Sequence, residues 1–202
     1  MSTLTVVRHA QARPFQKNSD CLSELGERQA RALRDYLGQY DEVISGALTR
    51  HCQTAALATD TPPRIDPDWN EYDSEGILSG YPHPSTFPDN RAFQKVFEAA
   101  MEKWMEGDSA GEPFAEFQKR VLRGLSRIQE GPSNRRVLLF TSGGPIGLLV
   151  QTALNAPPRS FLDVNWRVRN CSISEFVFNS NRLSLDSFNA VPHLAVELQS
   201  FR

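Results

Sequence analysis

The sequence predicts an α/β fold with a mostly parallel central sheet, and three observations carry that prediction. Leu4-Thr5-Val6-Val7 is a short apolar run that stops at Arg8-His9, the pattern of a buried parallel strand whose carboxyl end opens into a crevice. Val137-Leu138-Leu139-Phe140-Thr141 passes straight into Ser142-Gly143-Gly144-Pro145 and then Ile146, Leu149 and Val150, which reads as strand, tight turn and helix. Between these two stretches strand-like and helix-like periods alternate. Open sheets of this class bind ligands beyond the carboxyl ends of their strands.

After the first strand, Gln11 to Asp20 is a polar loop. Ser23 suits an N-cap, and Leu25, Gln29, Ala30, Leu33 and Leu37 keep a helical period to about Gln39. Glu42-Val43-Ile44-Ser45 is a second strand, Gly46 to Thr49 a turn, and a second helix runs from about Thr49 to Ala58 with Arg50, His51 and Gln53 near its start. A cation gains nothing from the dipole at a helix N terminus. Arg50 therefore suits one wall of an anion site that the helix start helps to form. Thr59 to Pro67 reads as a connection, and Ile77 to Pro88 as a loop broken by Gly80, Pro82, Pro84 and Pro88. Two amphipathic helices follow, one with the stripe Phe93, Val96, Phe97, Ala100, Met101 and Trp104, the other with Phe114, Phe117, Val121, Leu125 and Ile128. Both stripes read as core. Pro145 suits the first position of the helix after the third strand. Ile173 to Phe178 and Arg182 to Phe188, around Asn179-Ser180-Asn181, predict an antiparallel hairpin at a sheet edge.

Composition bounds the function. A chain of 202 residues suits one domain, and 40 % hydrophobic residues, 23 % charged residues and a net charge of −2 describe an ordinary soluble protein. That balance supports neither a nucleic-acid nor a membrane partner, so any positive field must be local. Met1-Ser2-Thr3 leads into the first strand without a basic start, so no signal peptide is expected. Cys21, Cys52 and Cys171 lack the spacing of zinc or redox motifs. Reduced thiols and a cytoplasmic location are the expectation.

Strand ends and loops thus offer Arg8 with His9, Arg50, the Ser142-Gly143-Gly144 turn and Glu71. A neutral imidazole attacks phosphorus well when its second nitrogen is held by a hydrogen bond, and guanidinium forks match phosphate oxygens. These are parts that phosphoryl transfer without a metal needs. Other nucleophile readings fail on spacing. His51-Cys52 lacks the arginine of a cysteine-phosphatase loop, since Ala58 stands there, and Phe140 takes the place of the first glycine of a serine-hydrolase elbow. No Gly-Lys-Ser/Thr follows the glycine turn, and His9, His51, His83 and His193 show no metal-ligand spacing with carboxylates. No metal or cofactor is implied.

Arg8-His9-Ala10, Leu22 to Ala30, Ser45 through Arg50-His51-Cys52-Gln53-Thr54-Ala55, and Ser142-Gly143-Gly144 together resemble the motif series of the histidine phosphatase superfamily, the phosphoglycerate mutase-like fold. The resemblance spans nearly the whole chain. It implies a single three-layer α/β/α domain over residues 1–202, with a helical insert over about 85–130, and a phosphohistidine intermediate. By position, His9 is implied as the nucleophile and Arg8 and Arg50 as phosphate ligands. Glu71 is implied as the acid, with Asp73 in reserve. Ser142 and Gly143 complete the phosphate site. The partner expected is a small phosphorylated substrate or phosphate, chosen by loops around Tyr81 and Phe87.

Two positions depart from the family pattern. Ala10 replaces a glycine, which costs little, and Ser142 replaces the histidine of the usual His-Gly-Gly. A serine donates one neutral hydrogen bond and brings no charge, and losing such an electrostatic contact costs on the order of 10² to 10³ in rate. Three functions stay open: a phosphomonoesterase helped by another cation such as His51 or His193, a phosphate-binding protein without useful turnover, and a mutase-like phosphotransferase.

Overall fold

The most apolar strands lie in the middle of the sheet. In the computed structural model, which describes residues 1–13, 20–82, 86–108 and 110–201, six strands run in the order β3-β2-β4-β1-β5-β6. They are β1 (Ser2–Arg8), β2 (Glu42–Ser45), β3 (Arg64–Ile65), β4 (Arg136–Thr141), β5 (Ile173–Phe178) and β6 (Leu183–Ala190). β1, β2, β3 and β4 pair in parallel, while β5 pairs antiparallel with both β1 and β6. The sheet is therefore mostly parallel with an antiparallel edge, as expected for an α/β fold.

Helices α1 (Glu24–Arg34) and α2 (Thr49–Ala58) cover one face. There Leu22, Ala30, Leu33, Ala55 and Ala58 pack with Val7, Val43, Leu138, Phe140 and Ile173 of the strands. Strand alternation turns Leu4, Val6, Val137 and Leu139 to the opposite face. α6 (Gly143–Ala153) packs against β1, β6 and α7 (Ser160–Asn165). No helix among the described residues is long and apolar enough to cross a membrane.

The chain divides into two compact units, Met1–Glu71 with Arg123–Arg202, and Tyr72–Leu122. The second holds α3 (Ser74–Ile77), α4 (Asn90–Met105) and the first half of α5 (Phe114–Glu130). Trp104 gathers its aromatic core, with ring centroids 5.2 Å from Tyr72, 4.9 Å from Phe114 and 5.5 Å from Phe117. The Trp104 indole N–H donates to the Glu112 carbonyl at 2.7 Å, and Arg120 clasps the Glu112 carboxylate at 2.5 and 2.8 Å.

Several local expectations need correction. α1 stops at Arg34 instead of Gln39, because the N–H groups of Tyr36 and Leu37 both turn back to the Leu33 carbonyl. α6 starts at Gly143, so Pro145 is its third residue and not its first; the N–H that proline lacks would be unpaired at either place. β3 lies in the stretch read as a connection, and α3 and α7 were not expected. All three are too short to show a period.

Gly124 of α5 ties the helix to the loop before Glu71. A Cβ there would stand 2.8 Å from Cε2 and 2.9 Å from Cζ2 of the buried Trp69 indole. Gly124→Ala should therefore destabilise the protein by about 1–3 kcal/mol through overpacking, against a gain of up to about 1 kcal/mol in helix propensity. Urea denaturation checks this; a stabilised variant would show that the contact yields freely.

Candidate active site

Strand pairing brings the sequence-predicted residues together. Arg8 stands in register with Thr141, and the chain continues the pairing past the strand, with His9 N–H on the Thr141 carbonyl at 2.8 Å and Gly46 N–H on the Phe140 carbonyl at 3.0 Å. The carboxyl ends of β1, β2 and β4 thus lie side by side. Side chains lock the loops that follow. Ala10 N–H donates to Thr54 Oγ1 at 3.0 Å, and the Thr54 hydroxyl donates to the Arg50 carbonyl at 2.7 Å. Gln29 accepts from Gln11 N–H at 2.9 Å and Gln53 from Leu22 N–H at 2.8 Å, while Ser23 caps α1 through Gly26 N–H at 3.0 Å. Only glycine fits at 26, since a Cβ would lie 2.1 Å from the Gln11 carbonyl oxygen.

His9 is 7 % exposed, and its Nδ1 lies 2.7 Å from the Ala10 carbonyl oxygen. A carbonyl only accepts, so Nδ1 carries the proton and Nε2 keeps its lone pair. Burial first, then the charges of Arg50 and Arg8, hold the pKa of His9 well below the usual histidine value. At neutral pH its imidazole is therefore uncharged.

The cations and carboxylates interlock around it. Arg8 Nη1 donates to the Val168 carbonyl. Arg50 Nη1 meets Asp20 Oδ1 at 2.5 Å, and Asp20 Oδ2 also accepts from Thr49 N–H, the start of α2, at 2.7 Å. Glu71 does the same at α6, accepting from Gly144 N–H at 3.0 and 3.3 Å. Each helix start that the sequence marks for an anion therefore already holds a carboxylate of the chain. Glu71 is placed by its own loop: the Trp69 carbonyl accepts from the Thr141 hydroxyl at 2.6 Å, and Asp66 and Asp68 bind Arg127 of α5 at 2.8 and 2.6 Å.

Ser142 is fully buried and is the N-cap of α6. Its Oγ lies 2.6 Å from His51 Nε2, and the rings of His51 and His9 are 5.6 Å apart between centroids. Gly143 is buried beside Asn165, whose Oδ1 would lie 2.8 Å from a Cβ at 143. Asp73 and His193 have partners of their own. Asp73 belongs to the second unit, where it caps α3 through Gly76 N–H at 2.9 Å. His193 packs on the Tyr36 ring at 5.7 Å. Asp20 was missed by the sequence reading, although an acidic residue just before the Leu22–Ala30 motif is a visible signal. Among the described residues no group of three or more His, Cys, Asp or Glu side chains is arranged to hold a metal ion.

Comparison with known proteins adds four findings. The sequence model of the histidine phosphatase superfamily (branch 1) matches residues 4–191. A Yersinia enterocolitica protein named probable phosphoglycerate mutase GpmB is 30 % identical over 187 residues, 86 % of this chain and 84 % of that protein. A mycobacterial glucosyl-3-phosphoglycerate phosphatase, solved in complex with VO3, superposes with a TM-score of 0.69 at 25 % identity, covering 93 % of this chain and 98 % of the other. A mutant of the Entamoeba histolytica phosphoserine phosphatase, in complex with phosphoserine, superposes with a TM-score of 0.73 at 21 % identity over 96 % and 100 % of the two chains.

The buried imidazoles make stability depend on pH. His9 and His51 both have pKa values held well below the usual 6.5, first by burial and then by Arg50, and burial pushes His193 down to about 4. The unfolded chain therefore takes up protons first as the pH falls. Stability is complete above about pH 6.5 and declines below it, by up to about 1.4 kcal/mol per pH unit for each fully buried histidine. Urea denaturation at pH 7.5 and 5.5 should show the loss; equal stability at the two values would refute the neutral, buried state of these rings.

Proposed function

Since the chain belongs to the histidine phosphatase superfamily, branch 1, we propose that it is a metal-independent phosphomonoesterase acting through a phosphohistidine on His9. The observation that carries this reading is the Nδ1 hydrogen bond of His9 to the Ala10 carbonyl, which leaves Nε2 as the reactive nitrogen beside two guanidinium groups. Nε2 attacks phosphorus as the P–O bond to the leaving group breaks, and the Glu71 carboxyl gives its proton to the departing oxygen. Water then attacks the phosphohistidine, Glu71 takes back a proton, and inorganic phosphate leaves. Arg8 and Arg50 hold the equatorial oxygens, where charge spreads in the transition state. Glu71 is preferred to Asp73 as the acid because it reaches the start of α6 directly behind Ser142, whereas the Asp73 carboxylate caps α3.

Two features favour a second reading, a phosphate-binding protein without turnover: a serine stands where the resemblance places a second imidazole, and Asp20 and Glu71 occupy both helix starts. The mutase name of the 30 % identical relative keeps phosphoryl transfer to a phosphorylated acceptor as a further outcome.

A metal-free assay with an aryl phosphate separates these. Turnover should be present in the wild type and abolished in His9→Ala, and Glu71→Gln should slow alkyl phosphates more than aryl phosphates. Equal activity of His9→Ala and wild type would sink the mechanism. Arg50→Ala should also weaken binding of orthovanadate by roughly tenfold or more, the loss expected for one charge-assisted contact of about 1.5–3 kcal/mol; unchanged affinity would remove Arg50 from the site.

A further inference from the structure

Ser142 is an N-cap residue that does not cap. An N-cap hydroxyl ordinarily accepts from the N–H of the second or third helical residue. Here the second, Gly144, donates to Glu71 instead, and the third is Pro145, which has no N–H. The Ser142 hydroxyl makes no cap bond, and it meets His51 Nε2 at 2.6 Å.

His51 is built into place for that contact. It is fully buried, and a Cβ at Gly46 would lie 2.2 Å from its Nδ1, so only glycine leaves room for the ring. Among the described residues, His51 Nδ1 has no hydrogen-bond partner. A buried N–H without an acceptor is the rarer and costlier defect, so the neutral ring places its proton on Nε2 and leaves Nδ1 bare. Nε2–H then donates to Ser142 Oγ, and the Ser142 hydroxyl keeps its own O–H as a donor for another group. The His51 ring centroid lies 5.6 Å from that of His9, which puts the pair beside the imidazole that the phosphatase reading makes the phosphoryl acceptor.

We propose that His51 is a positioning residue for the transferring phosphoryl group, acting through Ser142 Oγ and so supplying from α2 the imidazole that this chain lacks at the end of β4. The assignment rests on the phosphatase reading above. The hydrogen-bonded pair makes the hydroxyl a stronger donor than an isolated serine, because successive hydrogen bonds polarise one another in a low-dielectric site. No proton leaves the pair in the chemical step; Glu71 and water carry that balance.

The test is a mutant cycle on the full chain with an aryl phosphate. His51→Leu and Ser142→Ala should each lower kcat on the order of 10²-fold, as for loss of one preorganised donor, with KM changed far less. The double variant should be no slower than the slower single one, since both act on one donor path. His51→Gln, whose side-chain N–H can reach Ser142 Oγ, should recover activity to within about tenfold of wild type, which a purely space-filling role would not predict. Losses that multiply in the double variant, or a His51→Leu enzyme within twofold of wild type, would overturn the proposal. Where His51→Leu does not fold, the histidine ring NMR signals of the wild type decide: the Nε2 resonance of His51 should shift on binding orthovanadate, and an unmoved signal overturns the assignment. Absence of wild-type turnover with that shift intact would instead refute the phosphatase reading and leave the His51–Ser142 donor pair standing.

Discussion

The parallel ladder between β1 and β4 is the constraint on which the rest of the structure depends. Its register sets Arg8 opposite Thr141 and carries on into the His9 to Thr141 hydrogen bond. Two segments more than 130 positions apart thereby present their loop residues, Arg8-His9 and Ser142-Gly143, at one edge. A slip of one residue would turn the shifted strand's side chains to the opposite face of the sheet and re-aim every side chain beyond it. Because β1 is flanked by β4 and β5 and its Leu4, Val6 and Val7 are fully buried on the two faces, such a slip would force both faces to repack, and the register is firmly held.

Charge around His9 is balanced within the chain itself. Arg50 is paired with Asp20, and Glu71 sits on the start of α6. Pairing lowers the cost of keeping a guanidinium partly out of water, and it fits a chain whose net charge is only −2. Arg50 has further N–H donors beyond the one given to Asp20, so the pairing orients the group without exhausting it. The neutral histidines follow from the same field: burial, with Arg50 beside both rings and Arg8 beside His9, makes a charged imidazole costly, which leaves His9 uncharged and makes the hydrogen bond between His51 and Ser142 a neutral one.

The long elements were legible because they repeat. The stripes at Phe93–Trp104 and Phe114–Ile128, the apolar runs of β1 and β4, and the Ser23 cap all survive into the structure. What escaped was short or depended on local hydrogen bonding: β3 is two exposed residues, α3 is four, and the end of α1 is decided by a bifurcated bond to the Leu33 carbonyl. Pro145 was placed at the wrong turn position because a proline is tolerated throughout the first helical turn, where no N–H is needed.

By itself the sequence determined the α/β class, the alternation that builds the mostly parallel sheet, and the set of residues, Arg8, His9, Arg50, Glu71 and Ser142, that the fold collects. These follow from apolar periodicity and turn chemistry, which are properties of neighbours along the chain. Only the tertiary structure decided which side chain holds which. Asp20 on Arg50, Glu71 on Gly144, and His51 on Ser142 join residues 30, 73 and 91 positions apart. The physical reason is that a hydrogen bond needs a donor and an acceptor within about 3 Å and in line, a condition that no spacing in the sequence records and that packing alone satisfies.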